Sequence, residues 1–354
     1  MGDVIHALPV VADLRRHFPQ AEIDWVVEEA FAELVHMQAG VRRVLPIALR
    51  RWKKNGFSWQ HWRELSAFLR NLRSQRYDAI FDLQGLGKSA LVAGLAYGPS
   101  YGFNAQAAKE PWSARLLSHP LPIKLQSAMI EQLRSVPAQA LGYAVTGLPE
   151  FNLQAVVAQQ DLPESFPPMA GPFAILLPNT AANYKLWPEA DWQQLAQSLS
   201  QHGVVPVFSW GNEVERMRVT RIVDGVPGAV IAPRRYGLRE WARIMLNARV
   251  VIGLDTGLAH LAAALRVPSL FLFGATPHWR IAPYWYERRS GLPQHLTLGR
   301  PEAELASGQS AWPTVQEVLA GLADLQVLPA FLQTTATRFP PEIAPKIGML
   351  PVHP

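Results

Sequence analysis

Short β-rich runs alternate with longer helical stretches along most of this chain, in two blocks at residues 1–150 and 173–330. Residues 151–172, between the blocks, are rich in proline and show little periodicity, which is typical of a linker. Strands that alternate with helices form parallel sheets covered by helices. The sequence therefore predicts an α/β protein with two Rossmann-like lobes, whose parallel sheets face a central cleft.

The apolar periodicity places individual elements within these blocks. In the first block we expect helices at 3–17, 59–73, from 88 onward and within 126–141, and strands at 21–27, 41–47 and 77–83. In the second block we expect strands at 173–177, 204–209, 229–232, 250–254 and 269–273, and helices at 192–202, 214–223, 238–248 and 258–265. Residues 331–354 have no clear pattern, and we expect this tail to be poorly ordered.

Composition narrows the possible partners and compartments. The chain has 33 Lys and Arg against 28 Asp and Glu, a net charge of +5, which suits a phosphate, a nucleic acid or an acidic membrane surface. It has no cysteine, which excludes disulfides and thiolate sites. No apolar run reaches the about 18 residues of a transmembrane helix, and the start does not resemble a secretory signal. We expect a cytoplasmic protein.

The clearest candidate site follows the strand predicted at 250–254. Asp255 ends that strand, Thr256 and Gly257 form the turn, and a helix that contains His260 begins directly after them. The N–H groups at a helix start favour an anion such as a diphosphate, and glycine allows a ligand close to the backbone. Asp255 could bond a sugar hydroxyl. A structural role, with Asp255 or Thr256 as helix cap and His260 packed in the interior, explains the same residues.

Two further loops after predicted strands carry charged residues. Lys185, in the loop that begins near Thr180, could meet a phosphate as a point charge, or could be a solvated lysine. Glu213 or Glu215 could accept hydrogen bonds from ribose hydroxyls. Acidic residues are also common in the first turn of a helix, which is the structural interpretation of both glutamates.

The first block offers a carboxylate and a basic segment. Asp3, at a predicted helix start, is either a cap or a base that removes a proton from an acceptor hydroxyl. His6, one turn later, is a competing base or a structural residue. Residues 42–54 contain six Lys and Arg and no acidic residue, which favours contact with phosphates or a membrane surface, or a solvated loop.

One glycine-rich segment resembles a phosphate-binding loop without completing the motif. Residues 85–89 read Gly-Leu-Gly-Lys-Ser, but Asp82 stands where that motif needs its first glycine. We expect no P-loop there. No pair of residues has the spacing of a zinc-binding helix motif, so we expect no metal site.

Several of these segments together resemble the lipopolysaccharide heptosyltransferases, glycosyltransferase family 9, and most of all the members that add the first heptose. The segments are Met-Gly-Asp-Val-Ile-His-Ala-Leu-Pro at the start, Arg-Arg-Trp-Lys-Lys from Arg50, Tyr-Asp-Ala-Ile-Phe-Asp-Leu-Gln-Gly-Leu-Gly-Lys-Ser from Tyr77, Lys-Leu-Trp-Pro from Lys185, Asp-Thr-Gly-Leu-Ala-His from Asp255 and Phe-Gly-Ala-Thr from Phe273. They occur in the family's order across residues 1–325.

The resemblance implies a GT-B-type fold, in which two Rossmann-like lobes enclose the active site. It implies inverting, metal-independent transfer of L-glycero-D-manno-heptose from ADP-heptose to a Kdo sugar of Kdo2-lipid A. That reaction belongs to synthesis of the lipopolysaccharide inner core, at the cytoplasmic face of the inner membrane. The resemblance implies peripheral association with that membrane, no cofactor besides the donor substrate, and no nucleic-acid partner.

The resemblance also assigns roles to residues. Asp3 would be the general base, and Lys185 would neutralise the donor diphosphate. The implied donor residues are Thr180, Lys185, Glu213, Asp255, Thr256, Gly257, Leu258 and His260, with Glu213 aligning better than Glu215 with the ribose-binding acid. The implied acceptor residues are Arg50, Arg51, Lys53, Lys54 and Lys109. The family commonly has an arginine at the position of Lys109, and a lysine there lacks the bidentate fork.

The start of the chain departs from the family, which has an apolar strand just before the turn at Gly2 and Asp3. We expect that strand, central in the first sheet, to be missing here. Two other functions fit the same motifs: a relative that uses another acceptor, and an inactive nucleotide-sugar-binding protein. A nucleic-acid-binding protein is disfavoured because Trp52 alone accompanies the basic run as a stacking platform.

Overall fold

A computed structural model describes residues 1–55, 58–180, 183–274, 280–283, 294–299 and 311–328. The predicted tail at 331–354 lies outside the described residues. Within them the chain forms parallel sheets flanked by helices, as predicted. No helix in these ranges is long and apolar enough to cross a membrane.

The first block forms two small parallel sheets. Its elements in chain order are α1 (Gly2–Ala7), α2 (Pro9–His17), β1 (Ile23–Glu28), α3 (Ala32–His36), β2 (Val41–Ile47), α4 (Leu49–Asn55), α5 (Trp59–Leu72), β3 (Ile80–Asp82), α6 (Gly87–Leu95), β4 (Ser100–Phe103), β5 (His119–Leu121) and α7 (Met129–Leu141). Strand β1 pairs with β2, while β3, β4 and β5 pair in that order. Both sheets are parallel, so within each sheet the loops that follow the strands lie at the same end of the strands.

The second block forms one larger parallel sheet. Its elements are β6 (Phe173–Leu177), α9 (Glu189–Gln201), β7 (Val205–Phe208), α10 (Glu213–Val223), β8 (Val230–Ile231), α11 (Leu238–Met245), β9 (Val250–Leu254), α12 (Gly257–Ala264), β10 (Ser269–Leu272), β11 (His295–Leu298) and α13 (Val315–Asp324). The strand order is β11-β10-β9-β6-β7-β8. Every residue of β6 and of β9 is buried, because helices cover both faces of a parallel sheet.

One apolar core runs across both blocks. It contains Ile5 of α1 and Leu34 of α3 together with Ile175 of β6 and Phe271 of β10. Helices of the first block therefore pack directly on helices and strands of the second. This packing places α1 against α12, the helix that follows β9.

Two predicted segments differ from their sequence-based description. The helix expected at 3–17 divides into α1 and α2 at Leu8, because Pro9 has no N–H group to continue the hydrogen-bond ladder. The proline-rich residues 151–172 include a short helix, α8 (Gln154–Ala158), and bury Phe151 and Val157 in the shared core.

Candidate active site

Asp255 lies at the end of β9, where α12 begins. Thr256 is the N-cap of α12, since its hydroxyl accepts from the N–H of Ala259 at 3.4 Å. The carboxylate of Asp255 binds side chains instead: Lys185 Nζ donates to Oδ2 and His260 Nε2 donates to Oδ1, both at 3.1 Å. Burial alone would raise the pKa of Asp255, but the hydrogen bonds from His260 and Lys185 outweigh it, and the pKa is lowered. Asp255 is therefore ionised at neutral pH.

The first turn of α12 continues this cluster. Gly257 faces the side chain of Met1, and a Cβ added to Gly257 would lie 2.1 Å from Met1 Cε. Leu258 is half-buried against the shared core. The residues predicted from Asp255 to His260 thus occupy one continuous turn, with the N–H groups of the helix start beside an ionised carboxylate.

Two buried anchors hold the loop that carries Lys185 between β6 and α9. The Trp187 indole N–H donates to the carbonyl of Pro313 at 3.0 Å. The Arg218 guanidinium donates to the carbonyl of Trp187 at 2.8 Å and also to that of Pro178. Arg218 was not predicted from the sequence, although an arginine on the apolar side of a predicted helix can indicate a buried anchor of this kind. With both ends of the loop fixed, Lys185 Nζ reaches Asp255.

The loops after β6 and β7 contain the other predicted donor residues. Thr180 is half-buried in the first of them. In the second, Glu215 accepts from the Gly211 N–H at 2.7 Å and from Asn212 Nδ2 at 2.9 Å. The Glu215 carboxylate is therefore occupied by hydrogen bonds within its own loop. The side chain of Glu213 is 68% exposed and forms a long ion pair of 3.4 Å with Arg216. Glu213 is the more accessible of the two carboxylates.

Helix α1, which carries Asp3, packs against α12. A methyl group placed on Gly2 would lie 3.7 Å from His260 Cδ2. The His6 imidazole meets that of His260 edge-on, with ring centroids 4.7 Å apart. Burial, together with the charge of His260, lowers the pKa of His6 to about 3. His6 is therefore a neutral packing residue at neutral pH, which is the structural alternative given for it above.

Asp3 opens onto a small cavity between the two blocks. Its side chain is 54% exposed, and Lys109 Nζ donates to Oδ2 at 3.4 Å. Gln84, Gln132 and Arg280 line the same cavity. Arg280 comes from the second block, in the connection between β10 and β11, and belongs to none of the predicted motifs, so local sequence patterns did not point to it. Amides and cations here surround a carboxylate, which suits a ligand with hydroxyl and anionic groups.

The basic segment predicted at 42–54 divides between two elements. Arg42 and Arg43 lie on β2 and bind Asp24, whereas Arg50, Arg51, Lys53 and Lys54 lie on α4. Arg51 pairs with Glu29 at 2.9 Å and with Glu64 at 3.0 Å. The Arg50 guanidinium lies over the ring of Phe31, 5.3 Å from its centroid. Lys53 and Lys54 are exposed. The four cations thus share one helix, with Arg51 held by carboxylates.

The start of α6, at the incomplete P-loop motif, holds a carboxylate of the protein itself. The N–H of Gly87 donates to Glu110 Oε2 at 2.7 Å. The Trp112 ring covers Gly87, where an added Cβ would lie 2.0 Å from the indole. A phosphate bound at the start of α6 would lie against the Glu110 carboxylate and the Trp112 ring. This agrees with the prediction that the segment is not a P-loop.

The positive charge of Lys185 lies at the start of α12, and the Asp3 carboxylate lies on α1, which contacts α12. Lys185 and the start of α12 suit an anionic leaving group, and Asp3 on α1 suits a proton acceptor. Within the described ranges, no group of three or more His, Asp or Glu side chains could hold a metal ion.

The chain is similar to known proteins over most of its length. Residues 65–292 match the model of glycosyltransferase family 9 (heptosyltransferase). The chain is 37% identical to lipopolysaccharide heptosyltransferase 1 of Escherichia coli strain K12 over 285 residues, which is 80% of this chain and 88% of that protein. The structure of E. coli heptosyltransferase WaaC with ADP is similar, with a TM-score of 0.79, 32% identity, and coverage of 92% of this chain and 97% of WaaC. WaaC with ADP-2-deoxy-2-fluoro heptose gives a TM-score of 0.76 at 32% identity, covering 92% of this chain and 96% of that one.

Proposed function

Because this chain belongs to glycosyltransferase family 9, the heptosyltransferases, we propose that it transfers L-glycero-D-manno-heptose from ADP-heptose to a Kdo sugar of Kdo2-lipid A. This is the first heptose addition of the lipopolysaccharide inner core. The observation that carries the proposal is the cluster of Lys185, Asp255 and His260, packed against the helix that bears Asp3. The ligands named for WaaC, ADP and an ADP-heptose analogue, support ADP-heptose as the donor.

Residues 173–330 bind the donor in this proposal, and residues 151–172 connect them to the acceptor lobe. Lys185 leaves Asp255 and meets the diphosphate, helped by the N–H groups at the start of α12. Asp255 then accepts from heptose hydroxyls, and Glu213 accepts from the ribose hydroxyls. The remaining donor contacts come from Thr180, Thr256, Gly257, Leu258 and His260.

The reaction is a displacement at the anomeric carbon of heptose. Asp3 takes the proton of the acceptor hydroxyl while the hydroxyl oxygen forms the new bond to that carbon. The bond from carbon to the diphosphate oxygen breaks, and ADP leaves with the electron pair. Attack from the side opposite the diphosphate inverts the anomeric configuration. Lys185 and the helix start stabilise the charge that develops on the leaving group, so no step requires a metal or further cofactor.

Residues 1–150 bind the acceptor. The phosphates and carboxylates of Kdo2-lipid A are anionic, and Arg50, Arg51, Lys53, Lys54 and Lys109 supply positive charge on the side of Asp3. Because this acceptor is a membrane lipid, the enzyme works in the cytoplasm as a peripheral protein at the inner membrane. Its partners in this proposal are the two substrates and that membrane surface, and not nucleic acid.

The proposal is tested by ADP release on mixing the purified protein with ADP-heptose and Kdo2-lipid A. Release should require the acceptor and should fall by about 10²–10⁴-fold in Asp3→Ala, because the base is lost. Asp78→Ala, a change at an exposed aspartate outside the site, should release ADP like the wild type.

Each other outcome contradicts part of the proposal. Release only with a different acceptor glycolipid would identify a relative with another acceptor specificity. Tight binding of ADP-heptose without turnover would identify a nucleotide-sugar-binding protein. Full activity of Asp3→Ala would refute its role as the base.

A further inference from the structure

The outer side of α5 exposes two tryptophans. The exposed fraction is 79% for Trp59 and 54% for Trp62. The opposite side of the helix buries Phe68 and Leu72 in the core of the first block. Single exposed apolar residues are common, but large apolar side chains exposed next to each other mark an interaction surface.

The tryptophans belong to a continuous stripe. Trp59, Trp62, Arg63, Ser66 and Arg70 stand at i, i+3, i+4, i+7 and i+11, and therefore lie on one side of the helix. We name these five residues the tryptophan–arginine face. They line one open groove on the surface, and both arginines are exposed. The face combines indole rings with guanidinium groups along the length of α5.

The one carboxylate among the described residues that line this groove is ionised and is held by neighbouring side chains. Glu64 accepts from Arg51 at 3.0 Å, from the Trp52 indole at 2.8 Å and from Gln60 at 3.2 Å. The hydrogen bond from Arg51 is the main cause that lowers the pKa of Glu64 to about 2. The groove is lined by the two exposed arginines Arg63 and Arg70 and by this single carboxylate, which Arg51 binds, so the tryptophan–arginine face is cationic.

The same contacts join α5 to α4. Arg51 and Trp52 lie on α4, and both bind Glu64 of α5. Trp52 is buried, so the two helices pack as one unit. The tryptophan–arginine face therefore has a fixed position relative to Arg50, Lys53 and Lys54.

We propose that the tryptophan–arginine face seats the protein on an anionic lipid bilayer. Tryptophan prefers the headgroup level of a membrane, where its ring meets acyl chains and its N–H meets water. Arg63 and Arg70 match the phosphates of anionic lipids, which is the charge complementarity that selects a bilayer as the partner. The further consequence, that docking presents a lipid-linked acceptor to α4, rests on the proposed function.

The test is sedimentation of the protein with vesicles of phosphatidylglycerol and phosphatidylethanolamine, compared with vesicles of phosphatidylcholine alone. The wild type should bind the anionic vesicles, and added salt should weaken binding. Trp59→Gln/Trp62→Gln and Arg63→Gln/Arg70→Gln should each reduce binding by about tenfold or more, since each removes two interfacial contacts. Glutamine preserves helix propensity, and thermal unfolding checks that the variants fold.

Matched controls lie on the second block. Met217→Gln removes a methionine that is 53% exposed on α10, and Arg235→Gln removes an exposed arginine. Both should bind vesicles like the wild type. Equal loss in these controls, unchanged binding in both α5 variants, or equal wild-type binding to phosphatidylcholine would overturn the proposal.

Activity separates this proposal from the proposed function. With a water-soluble, deacylated Kdo acceptor, the α5 variants should turn over like the wild type, while KM for Kdo2-lipid A in vesicles should rise. Vesicle binding through α5 without heptose transfer to either acceptor would refute the proposed function and leave the docking face intact. Heptose transfer by a wild type that does not bind anionic vesicles would refute the docking face alone.

Discussion

At the residue scale, the Asp255 carboxylate has both oxygens occupied, one by Lys185 and one by His260. In the proposed reaction, Lys185 exchanges this partner for the donor diphosphate, which carries more negative charge. We expect Lys185→Gln to weaken ADP binding by about tenfold or more, because a charge-assisted hydrogen bond contributes about 1.5–3 kcal/mol. Isothermal calorimetry with ADP measures the loss. Lys124→Gln, an exposed lysine outside the site, is the control, and equal ADP affinity in both variants would contradict the assignment.

The positions of Asp255 and Lys185 after strands could be predicted from the sequence, but the contact between their side chains could not. Asp255 and Lys185 each follow an apolar strand of a parallel sheet, where functional side chains gather. That their side chains meet at 3.1 Å depends on the pairing of β6 with β9 and on the anchors at Trp187 and Arg218. Such contacts join distant parts of the chain, so local periodicity does not encode them.

At the scale of elements, α6 depends on a cap from outside its own sequence. Glu110 accepts from the N–H of Gly87 at 2.7 Å, and the Glu110 N–H donates to the carbonyl of Gly85 at 3.0 Å. We expect Glu110→Ala to lower the free energy of unfolding by about 1–2 kcal/mol, through the unpaired helix N–H and the lost charge at the helix start. Urea denaturation measures it.

The control for that change is Glu164→Ala, since Glu164 is exposed on the segment that joins the two blocks. We expect Glu164→Ala to shift stability by less than about 0.5 kcal/mol, as surface substitutions usually do. Equal stability of the two variants would show that Glu110 does not cap α6.

The sequence predicts the elements of the second block better than those of the first, for a physical reason. Strands β6 and β9 are buried on both faces, so they appear as uninterrupted apolar runs. Strands β4 and β5 are short and contain Ser100, Gly102, His119 and Pro120, so no apolar run marks them. Both were missed, as were α3 and α4 in the first block and β11 and α13 in the second.

At the scale of the whole molecule, buried histidines make stability depend on pH. Burial lowers the pKa of His295 to about 3, whereas an unfolded histidine titrates near 6.5. Between these values the unfolded chain binds a proton that the folded chain does not, so stability falls as pH drops through this window. We expect His295→Leu to flatten that slope by up to about 1.4 kcal/mol per pH unit.

Urea denaturation from pH 7 to pH 4 measures this effect. His202→Gln serves as the control, because His202 is exposed and its substitution should leave the wild-type slope unchanged. His6, whose pKa is also lowered to about 3 by burial and by His260, should retain part of the slope in His295→Leu. A wild-type slope in His295→Leu would refute the interpretation.

The packing of α1 against α12 has a consequence for how the two substrates influence each other. In the proposed reaction α1 carries the base and α12 contacts the donor, and the two helices share the edge contact of His6 with His260. A shift of α12 on nucleotide binding would therefore move a helix that packs directly against the one bearing Asp3. Thermodynamic reciprocity then requires that the acceptor change the affinity for the donor by the same factor. The two substrates should therefore not bind independently, and the factor by which the nucleotide changes acceptor affinity should equal the factor measured in the opposite direction.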